Sequence, residues 1–321
     1  MEPKDLPSKG QIVVAGRAFG RFDPEGPAML RRAGYELVYL PGKKAVRQEL
    51  VDYFRDANTV GLVASAEPIT AEMLDAAVGL KVIAVHGVAS RHIDGEAARR
   101  RGIVVKAIPG GNAEAVADFT WGLMLAVLRK VHEADQLVRS NAWRPVVGTD
   151  LYGKTLAVVG FGAIGKAVAR RASGFRMKVM VSDVLPWDGA EEKIRLRGAE
   201  LDDMLVNADI LSLHVPATAG NREMIAENEL RRMKSSAVLI NVSRGALVNE
   251  AALCRALQEG WIAGAGLDVF TKEPLPEDHC LRNAPNCVLT PHVAGHTAEA
   301  LRFMGIQTAR NILEALEPGG A

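Results

Sequence analysis

A glycine-rich turn lies near the middle of the 321-residue chain, directly after a short apolar run. Together the two have the sequence Leu156-Ala157-Val158-Val159-Gly160-Phe161-Gly162-Ala163-Ile164-Gly165. The apolar run predicts a β-strand, and residues 166–171 after the turn predict a helix. Gly160 would permit the tight turn, Gly162 would let a ligand approach the backbone, and Gly165 would let the helix pack against the strand. The pattern therefore predicts a strand–turn–helix unit of a parallel α/β domain.

An acidic residue ends the next predicted strand, residues 179–183. With the glycine turn before it, Asp183 completes the pattern typical of dinucleotide binding, in which a pyrophosphate lies on the amides at the helix N-terminus. Asp183 would accept hydrogen bonds from ribose hydroxyls and repel a 2′-phosphate, which predicts NAD(H) rather than NADP(H). The alternative is a glycine-rich turn in an α/β domain that binds no ligand. The combination of strand, helix and acid favours the dinucleotide.

The composition excludes several classes of function. Hydrophobic residues make up 48% of the chain, and 39 basic against 38 acidic residues give a net charge of +1. This predicts real cores and gives no electrostatic case for a nucleic-acid or membrane partner. We find neither a secretory signal nor an apolar run long enough to span a membrane, so we expect a cytoplasmic protein.

The three cysteines are too few for a disulfide framework. We expect Cys254 to lie in the core of a helix and Cys287 in the core of a strand. Cys280 falls in a polar loop and is predicted to be a free thiol. Their spacing does not indicate a metal site.

The chain alternates predicted strands and helices on both sides of a long helical segment. Four strands precede that segment, at residues 12–15, 35–40, 61–64 and 82–85. Six follow it, at 155–159, 179–183, 210–213, 238–241, 264–268 and 287–290. This alternation predicts two doubly wound parallel sheets. The helical segment 113–138 is either a buried linking helix or a dimer interface, and a final helix covers about 298–316.

Polar side chains follow four of the later strands, at the edge of an open α/β sheet where ligands bind. They belong to four segments: His214-Val215-Pro216, Ser243-Arg244-Gly245, Asp268 to Pro274, and Pro291-His292. We expect them to meet in one crevice.

In this order the motifs resemble the NAD-dependent D-2-hydroxyacid dehydrogenases. The motifs that carry the resemblance are Gly160-x-Gly162-x-x-Gly165, His214-Val-Pro216, Asn241-Val-Ser-Arg244-Gly245, Gly266-Leu-Asp268-Val-Phe270-x-x-Glu273-Pro274 and Pro291-His292-Val-Ala-Gly295. The resemblance implies a Rossmann-type NAD domain at 107–292. It also implies a discontinuous, flavodoxin-like substrate domain at 1–106 and 293–321, and a homodimer formed through 113–138.

The family's roles carry over to matching residues. His292 would be the general acid/base, a role that suits an imidazole near neutral pH. Glu273 would hold the imidazole in its protonated form, and Arg244 would bind the keto oxygen and carboxylate. Asp268 would orient the nicotinamide. The remaining predicted contacts are Gly160, Gly162, Ala163, Ile164, Gly165, Asp183, His214, Val215, Pro216, Ser243 and His292 for the coenzyme, and Val88, Ala89, Arg244 and His292 for the substrate.

The substrate loop departs from the family's pattern. Ala89 replaces a glycine, Arg91-His92 replaces an acid–amide pair, and Val85 stands where phosphoglycerate dehydrogenases carry an arginine. Arg91 or His92 would contact a substrate tail or serve only a surface role. The predicted activity is hydride transfer between NAD(H) and a small 2-hydroxy or 2-keto acid of the glyoxylate, hydroxypyruvate or phosphoglycerate type. The alternative is an NAD(H)-sensing regulator like the corepressors built on this fold.

Overall fold

The computed structural model describes residues 8–15, 18–40, 46–65, 67–186 and 195–317. The chain divides into two compact units, one formed by Met1–Asn112 with His296–Ala321 and the other by Ala113–Gly295. The predicted boundaries at residues 106 and 292 lie close to these, and the roles assigned to the two units stay predictions.

The first unit contains a parallel sheet that has five strands within the described residues. Its strands are β1 Gln11–Val14, β2 Glu36–Tyr39, β3 Thr59–Ala64, β4 Val82–Val85 and β5 Val104–Lys106, in the order β2-β1-β3-β4-β5. Its helices are α1 Glu25–Arg32, α2 Val46–Arg55, α3 Ala71–Asp75, α4 Gly95–Arg100 and, from the end of the chain, α11 Ala298–Leu316, which packs on α1 and β4. This is the flavodoxin-like order, as predicted. The short strand β5 was not predicted, because its three residues carry no distinct pattern.

The second unit contains a parallel sheet of seven strands, counted over the described part of the chain. They are β6 Thr155–Val159, β7 Lys178–Ser182, β8 Arg195–Gly198, β9 Ile210–Leu213, β10 Val238–Asn241, β11 Gly264–Leu267 and β12 Cys287–Leu289, in the order β12-β11-β10-β9-β6-β7-β8. Its helices are α5 Ala113–Leu128, α6 Val131–Arg139, α7 Ala163–Ala172, α8 Leu201–Asn207, α9 Glu227–Arg232 and α10 Glu250–Gln258. The strand order reverses between β6 and β9, which is the switch point where ligands bind in this fold. Both predicted sheets are confirmed. Strand β8 was not predicted, because Arg195 and Arg197 leave Leu196 as its one large apolar residue.

Alternate residues of β6 pack into the two cores of this unit. Leu156 and Val158 belong to the core that contains α5 and α7, whereas Ala157 and Val159 belong to the core beneath α8, α9 and α10. Because both faces of the strand are covered, β6 is continuously apolar rather than alternating. The glycine turn therefore starts from a rigid, buried strand.

The prediction of one helix over 113–138 is wrong. α5 ends at Leu128, and α6 begins only after Lys130, which has a left-handed backbone with φ 51°. α5 is buried over most of its length, but α6 has no buried residue, and Val131 and Val138 are more than half exposed. Among the helices that the structure describes, none has the length and apolarity to cross a membrane.

The prediction of a free thiol at Cys280 is also wrong. Cys280 forms a disulfide with Cys254, 26 residues earlier in α10. A short 3₁₀ turn, Cys280–Asn283, brings the two sulfurs together against α10. Cys287 is the free cysteine, and burial raises the pKa of its thiol to about 12.

Candidate active site

The turn between β6 and α7 has the geometry that a pyrophosphate requires. Gly160 has φ 96°, and a Cβ there would lie 2.7 Å from the carbonyl carbon and oxygen of His214. A Cβ at Gly165 would overlap the carbonyl oxygen of Gly160, so the helix packs too closely for any side chain. A Cβ at Gly162, by contrast, would meet no described atom within 4 Å. The backbone is tight where the turn needs it and open where a ligand would approach.

The first turn of α7 presents free amides at this opening. Its first intrahelical hydrogen bond runs from Lys166 N–H to Gly162 O. The N–H groups of Ala163, Ile164 and Gly165 come before that bond and have no carbonyl within the helix. These residues therefore fit the diphosphate of a dinucleotide.

Asp183 joins the end of β7 to the glycine turn. Its Oδ2 accepts a hydrogen bond from Phe161 N–H at 2.6 Å, and its Oδ1 accepts from Leu185 N–H at 2.8 Å. The carboxylate is half-buried and lies beside the turn. This is the position from which an acid binds ribose hydroxyls.

His214 is uncharged at neutral pH. Burial lowers its pKa to about 3, and Nε2 lies 2.8 Å from Ser212 Oγ. Nδ1 is buried and has no hydrogen-bond partner among the described residues. Because the carbonyl of His214 lies against Gly160, the residue belongs to the wall of the coenzyme crevice and is no proton donor near neutral pH.

The loop after β10 places Arg244 beside β9 and β11. Buried Asn241 accepts from Ser243 N–H at 3.1 Å and donates to Arg244 O at 3.0 Å. Ser243 Oγ donates to Val215 O, which ties the loop to the segment after β9. The guanidinium is exposed, with Nη1 donating to Ser243 O at 2.7 Å. Its remaining donors are suited to a planar anion.

Gly245 brings this loop against the segment after β11. A Cβ at Gly245 would overlap the backbone of Phe270 and Thr271, so only glycine permits the contact. The turn that carries Arg244 is therefore seated directly on the backbone that leads to Glu273.

Glu273 and His292 form a hydrogen-bonded pair. Glu273 Oε2 lies 2.8 Å from His292 Nδ1, and Glu273 Oε1 accepts from Phe270 N–H at 3.0 Å. The side chains are 38% and 49% exposed, so the pair opens to solvent or ligand. A carboxylate on Nδ1 fixes the proton there and leaves Nε2 to exchange a proton with a substrate. These two residues come together as predicted.

Asp268 directly follows β11 and binds the segment that contains His292. Its side chain is fully buried, and it accepts hydrogen bonds from Thr290 Oγ1 at 2.7 Å, Val293 N–H at 2.9 Å and Ala294 N–H at 2.8 Å. With these three hydrogen bonds Asp268 holds the segment on both sides of His292, whose own backbone is left-handed with φ 56°. Its contact with the nicotinamide stays a prediction.

The predicted substrate loop follows β4 in the first unit. Gly87 O accepts from Ile108 N–H, Val88 is half-buried and Ala89 is exposed. His86 packs edge-on against Phe19, and its Nδ1 lies 3.1 Å from Thr308 Oγ1. Burial lowers the pKa of His86 to about 4, so this edge of the sheet holds a neutral imidazole.

Sequence reasoning gave no role to Ser212 or Glu250, and gave Asn241 none beyond its place in a motif. Ser212 binds the ring of His214, Asn241 shapes the Arg244 loop, and Glu250 binds the backbone after β11. Ser212 and Asn241 lie on buried strands. A polar residue in an otherwise apolar run was the sequence signal that could have identified them. Within the described ranges, one His/Cys group, Cys254, His279 and Cys280, has metal-ligand spacing, but its two sulfurs are bonded to each other.

The glycine turn, Asp183 and the Glu273–His292 pair define a dinucleotide-dependent dehydrogenase. Residues 121–294 match the family model described as "D-isomer specific 2-hydroxyacid dehydrogenase, NAD binding domain". The chain is 44% identical over 278 residues to a glyoxylate reductase of Thermofilum pendens, covering 84% of this chain and 82% of that protein. It is 43% identical over 279 residues to a glyoxylate reductase of Korarchaeum cryptofilum, covering 85% and 82%. A solved structure, the TT0316 protein from Thermus thermophilus, is 38% identical with a TM-score of 0.86, covering 96% of this chain and 97% of that one.

The chain belongs to the D-isomer-specific 2-hydroxyacid dehydrogenase family. It is an NAD-dependent oxidoreductase that acts on hydroxy acids. The predicted family, fold class and class of activity are confirmed.

Proposed function

We propose that this protein reduces a small 2-keto acid of the glyoxylate type to the corresponding 2-hydroxy acid with NADH. The observation that carries the proposal is the 2.8 Å bond between Glu273 and His292, next to the loop that presents Arg244. Both of the relatives described above are glyoxylate reductases that align over more than four-fifths of their length. An unphosphorylated substrate is favoured because Val85 is fully buried and apolar and His86 is neutral, so neither supplies a cation for a phosphate.

When bound, the nicotinamide supplies the hydride that reduces the keto carbon. Arg244 binds the carboxylate and keto oxygen of the substrate and draws electron density from the carbonyl. His292 donates the proton from Nε2 to the keto oxygen, and in the reverse direction it accepts that proton from the hydroxyl. Glu273 holds the ring from Nδ1, and Asp268 holds the backbone around it. The amides of Val88 and Ala89 are the proposed second anchor for the carboxylate.

For the coenzyme we propose a preference for NAD(H). The half-buried carboxylate of Asp183 lies beside the glycine turn, and the next residues, Val184 and Leu185, are exposed and apolar. An anion that no arginine directly follows in the sequence disfavours a 2′-phosphate. The amides of the first turn of α7, together with Val215, Pro216 and Ser243, complete the proposed coenzyme contacts.

We also propose a homodimer formed through residues 113–138, as the family resemblance implies. Val131 and Val138 are exposed on α6, and Trp143 is 92% and Val147 81% exposed beyond it. Isolated apolar side chains are ordinary on a surface, and the proposal is supported by the occurrence of four of them in one stretch of the chain. We also propose a cytoplasmic protein whose partner is this second copy, without nucleic acid or membrane.

The test is the variant His292→Gln, assayed by NADH oxidation with glyoxylate, hydroxypyruvate, pyruvate and phosphohydroxypyruvate. We expect kcat to fall by about 10²–10⁴ while NADH binding persists, because the proton donor is lost and the coenzyme crevice is intact. His132→Gln, on α6, serves as a control for loss of another imidazole in the same unit. Near-normal turnover in His292→Gln would exclude the acid/base role. Absence of turnover in the unmodified protein with every keto acid, with NADH still bound, would favour the regulatory alternative.

A further inference from the structure

The first turns of α10 carry two residues on the face toward the segment after β11. Glu250 and Cys254 are four residues apart, which places them one above the other on the helix. The Glu250 side chain is 12% exposed and Cys254 is 3% exposed. A buried carboxylate needs fixed partners, and both of the partners described for it lie in the segment 271–280.

Glu250 binds two points of that segment. Its Oε1 accepts from Thr271 N–H at 2.6 Å, and its Oε2 lies 3.1 Å from His279 Nε2. His279 Nδ1 accepts from Leu281 N–H at 3.4 Å, so Nε2 carries the ring proton and donates it to Glu250. One carboxylate therefore connects the beginning and the end of the segment.

The disulfide is a second attachment of the segment 271–280 to α10. Cys280 directly follows His279, and its partner Cys254 is on the same face of α10 as Glu250. Glu273 lies inside the span between Thr271 and His279. Its Oε1 is bound by the amide of Phe270, the residue before Thr271. The position of Glu273 is thus set by backbone that α10 holds at both ends.

Taking the proposed roles of Glu273 and His292 as its basis, we propose that Glu250, His279 and the Cys254–Cys280 disulfide form a brace that positions Glu273 against His292, and that opening the disulfide lowers turnover. Glu250 is a positioning residue, since it acts through Glu273. Loss of the brace would leave Glu273 attached to its own loop but free to shift, and a shift of about 1 Å at a catalytic group costs up to ~10²-fold in rate.

The opening step is a thiol–disulfide exchange with a dithiol reductant. One thiolate of the reductant attacks the sulfur of Cys280, which belongs to an exposed residue, and the S–S bond breaks to release the Cys254 thiolate, which takes up a proton. The second thiol of the reductant displaces Cys280 and closes the reductant's own disulfide. Two electrons and two protons pass to the two cysteines. Turnover would therefore respond to the supply of a dithiol reductant of the thioredoxin type.

The experiment compares the oxidised protein with the same protein after treatment with dithiothreitol in the presence of EDTA, which removes adventitious metal from the freed thiols. Thiols counted in denaturant should rise from one, Cys287, to three. We expect kcat for the 2-keto acid to fall between about 3- and 30-fold, with the dissociation constant of NADH changed less than twofold. Re-oxidation should restore kcat. Cys287→Ala is the matched control, and reduction should affect its turnover as it affects the unmodified protein.

Variants separate positioning from general stability. Cys254→Ala/Cys280→Ala should have the lowered kcat without reductant and no further response to it. Glu250→Ala should lower kcat by about tenfold, and Glu250→Gln, which keeps an acceptor for Thr271, should recover part of that loss. In a Glu273→Gln background, neither Glu250→Ala nor reduction should lower kcat further, because residues that act through one another are not additive.

Three thiols in the denatured, untreated protein would overturn the proposal, because the disulfide would then be absent. So would unchanged kcat in both the reduced protein and the double cysteine variant, or full additivity of Glu250→Ala with Glu273→Gln. If Glu273→Gln and His292→Gln themselves have normal turnover, the proposed function fails instead, whatever the brace does.

Discussion

The carboxyl edges of the two sheets are organised in different ways. At the seven-stranded sheet, side chains at the strand ends bind the backbone of the neighbouring segment: Ser243 binds the carbonyl of Val215, and Asp268 binds the amides of Val293 and Ala294. At the five-stranded sheet, β4 is followed by His86, whose ring packs against Phe19 and is hydrogen-bonded to Thr308 of α11. Hydrogen bonds at the first edge fix the positions of the groups to which we assign the chemistry, whereas packing fixes the second edge. Substitutions at the first edge should therefore change turnover, and those at the second should change stability.

Among the substitutions that test this difference between the two edges, Arg244→Ala should lower turnover the most. The guanidinium is exposed and bonded mainly within its own loop, so its loss should leave the fold intact. We expect kcat/KM for the keto acid to fall by about 10³-fold, while NADH binding, followed by its fluorescence, stays within twofold. Arg244→Lys is the control that keeps the charge without the planar fork, and it should recover only part of the loss. Weakened NADH binding with normal use of the keto acid would contradict the assignment.

Asp268→Asn should have the next largest effect. One oxygen of the buried carboxylate becomes an NH₂ group that faces the amides or hydroxyl it formerly bound, which leaves buried donors unpaired. We expect kcat to fall by about 10²-fold as the His292 segment shifts, together with a lower Tm for the unit. Asp209→Asn is the control for loss of a partly buried acid. Asp209 directly precedes β9, so it lies at the end of the sheet away from the predicted site. Equal effects on kcat in the two variants would show that Asp268 acts through stability alone.

Replacement of His86 should change the pH dependence of the stability of the five-stranded unit, to which His86 belongs, more than that of the seven-stranded unit. Burial lowers its pKa from 6.5 to about 4, so the unfolded chain takes up the proton first. Its contribution to the free energy of unfolding is complete above pH 6.5 and is lost as pH falls towards 4, by about 3 kcal/mol in total. Between pH 7.5 and 4.5, the denaturation midpoint of His86→Gln should fall less than that of the unmodified protein. Because both proteins contain buried His214, its similar effect cancels in the comparison. If the denaturation midpoints of the two proteins changed with pH in parallel, this account would be excluded.

Asp183→Ser should have the smallest effect. Removal of the carboxylate lowers the repulsion of a 2′-phosphate but also removes the acceptor for Phe161 N–H. We expect kcat/KM with NADPH relative to NADH to rise by about tenfold, mostly through weaker use of NADH. The ratio measured with both coenzymes at one ionic strength tests this. An unchanged ratio would mean that another residue selects the coenzyme.

The sequence was sufficient for features that depend on local spacing, and insufficient for those that depend on folding. The glycine turn, the strand ends and α11 follow from short motifs and apolar runs. The break at Lys130 requires a left-handed residue that no helix propensity indicates, and β8 is an arginine-rich edge strand. The disulfide joins residues 26 apart, which only packing brings together. Asp268 was found as a polar residue at a strand end, but its burial beneath the His292 segment could not be inferred from its position in the chain.

The packing of α11 on α1 and β4 has a consequence for synthesis on the ribosome. The unit formed by residues 113–295 contains the seven strands described for its sheet, and all of them are made before α11. The N-terminal sheet is made earlier, but the core that contains Ile12, Val63 and Ala84 is incomplete until Ala309 and Ile312 of α11 are added to it. The first part of the chain to be made is therefore the last to be completed, and during translation it is the part most in need of a chaperone.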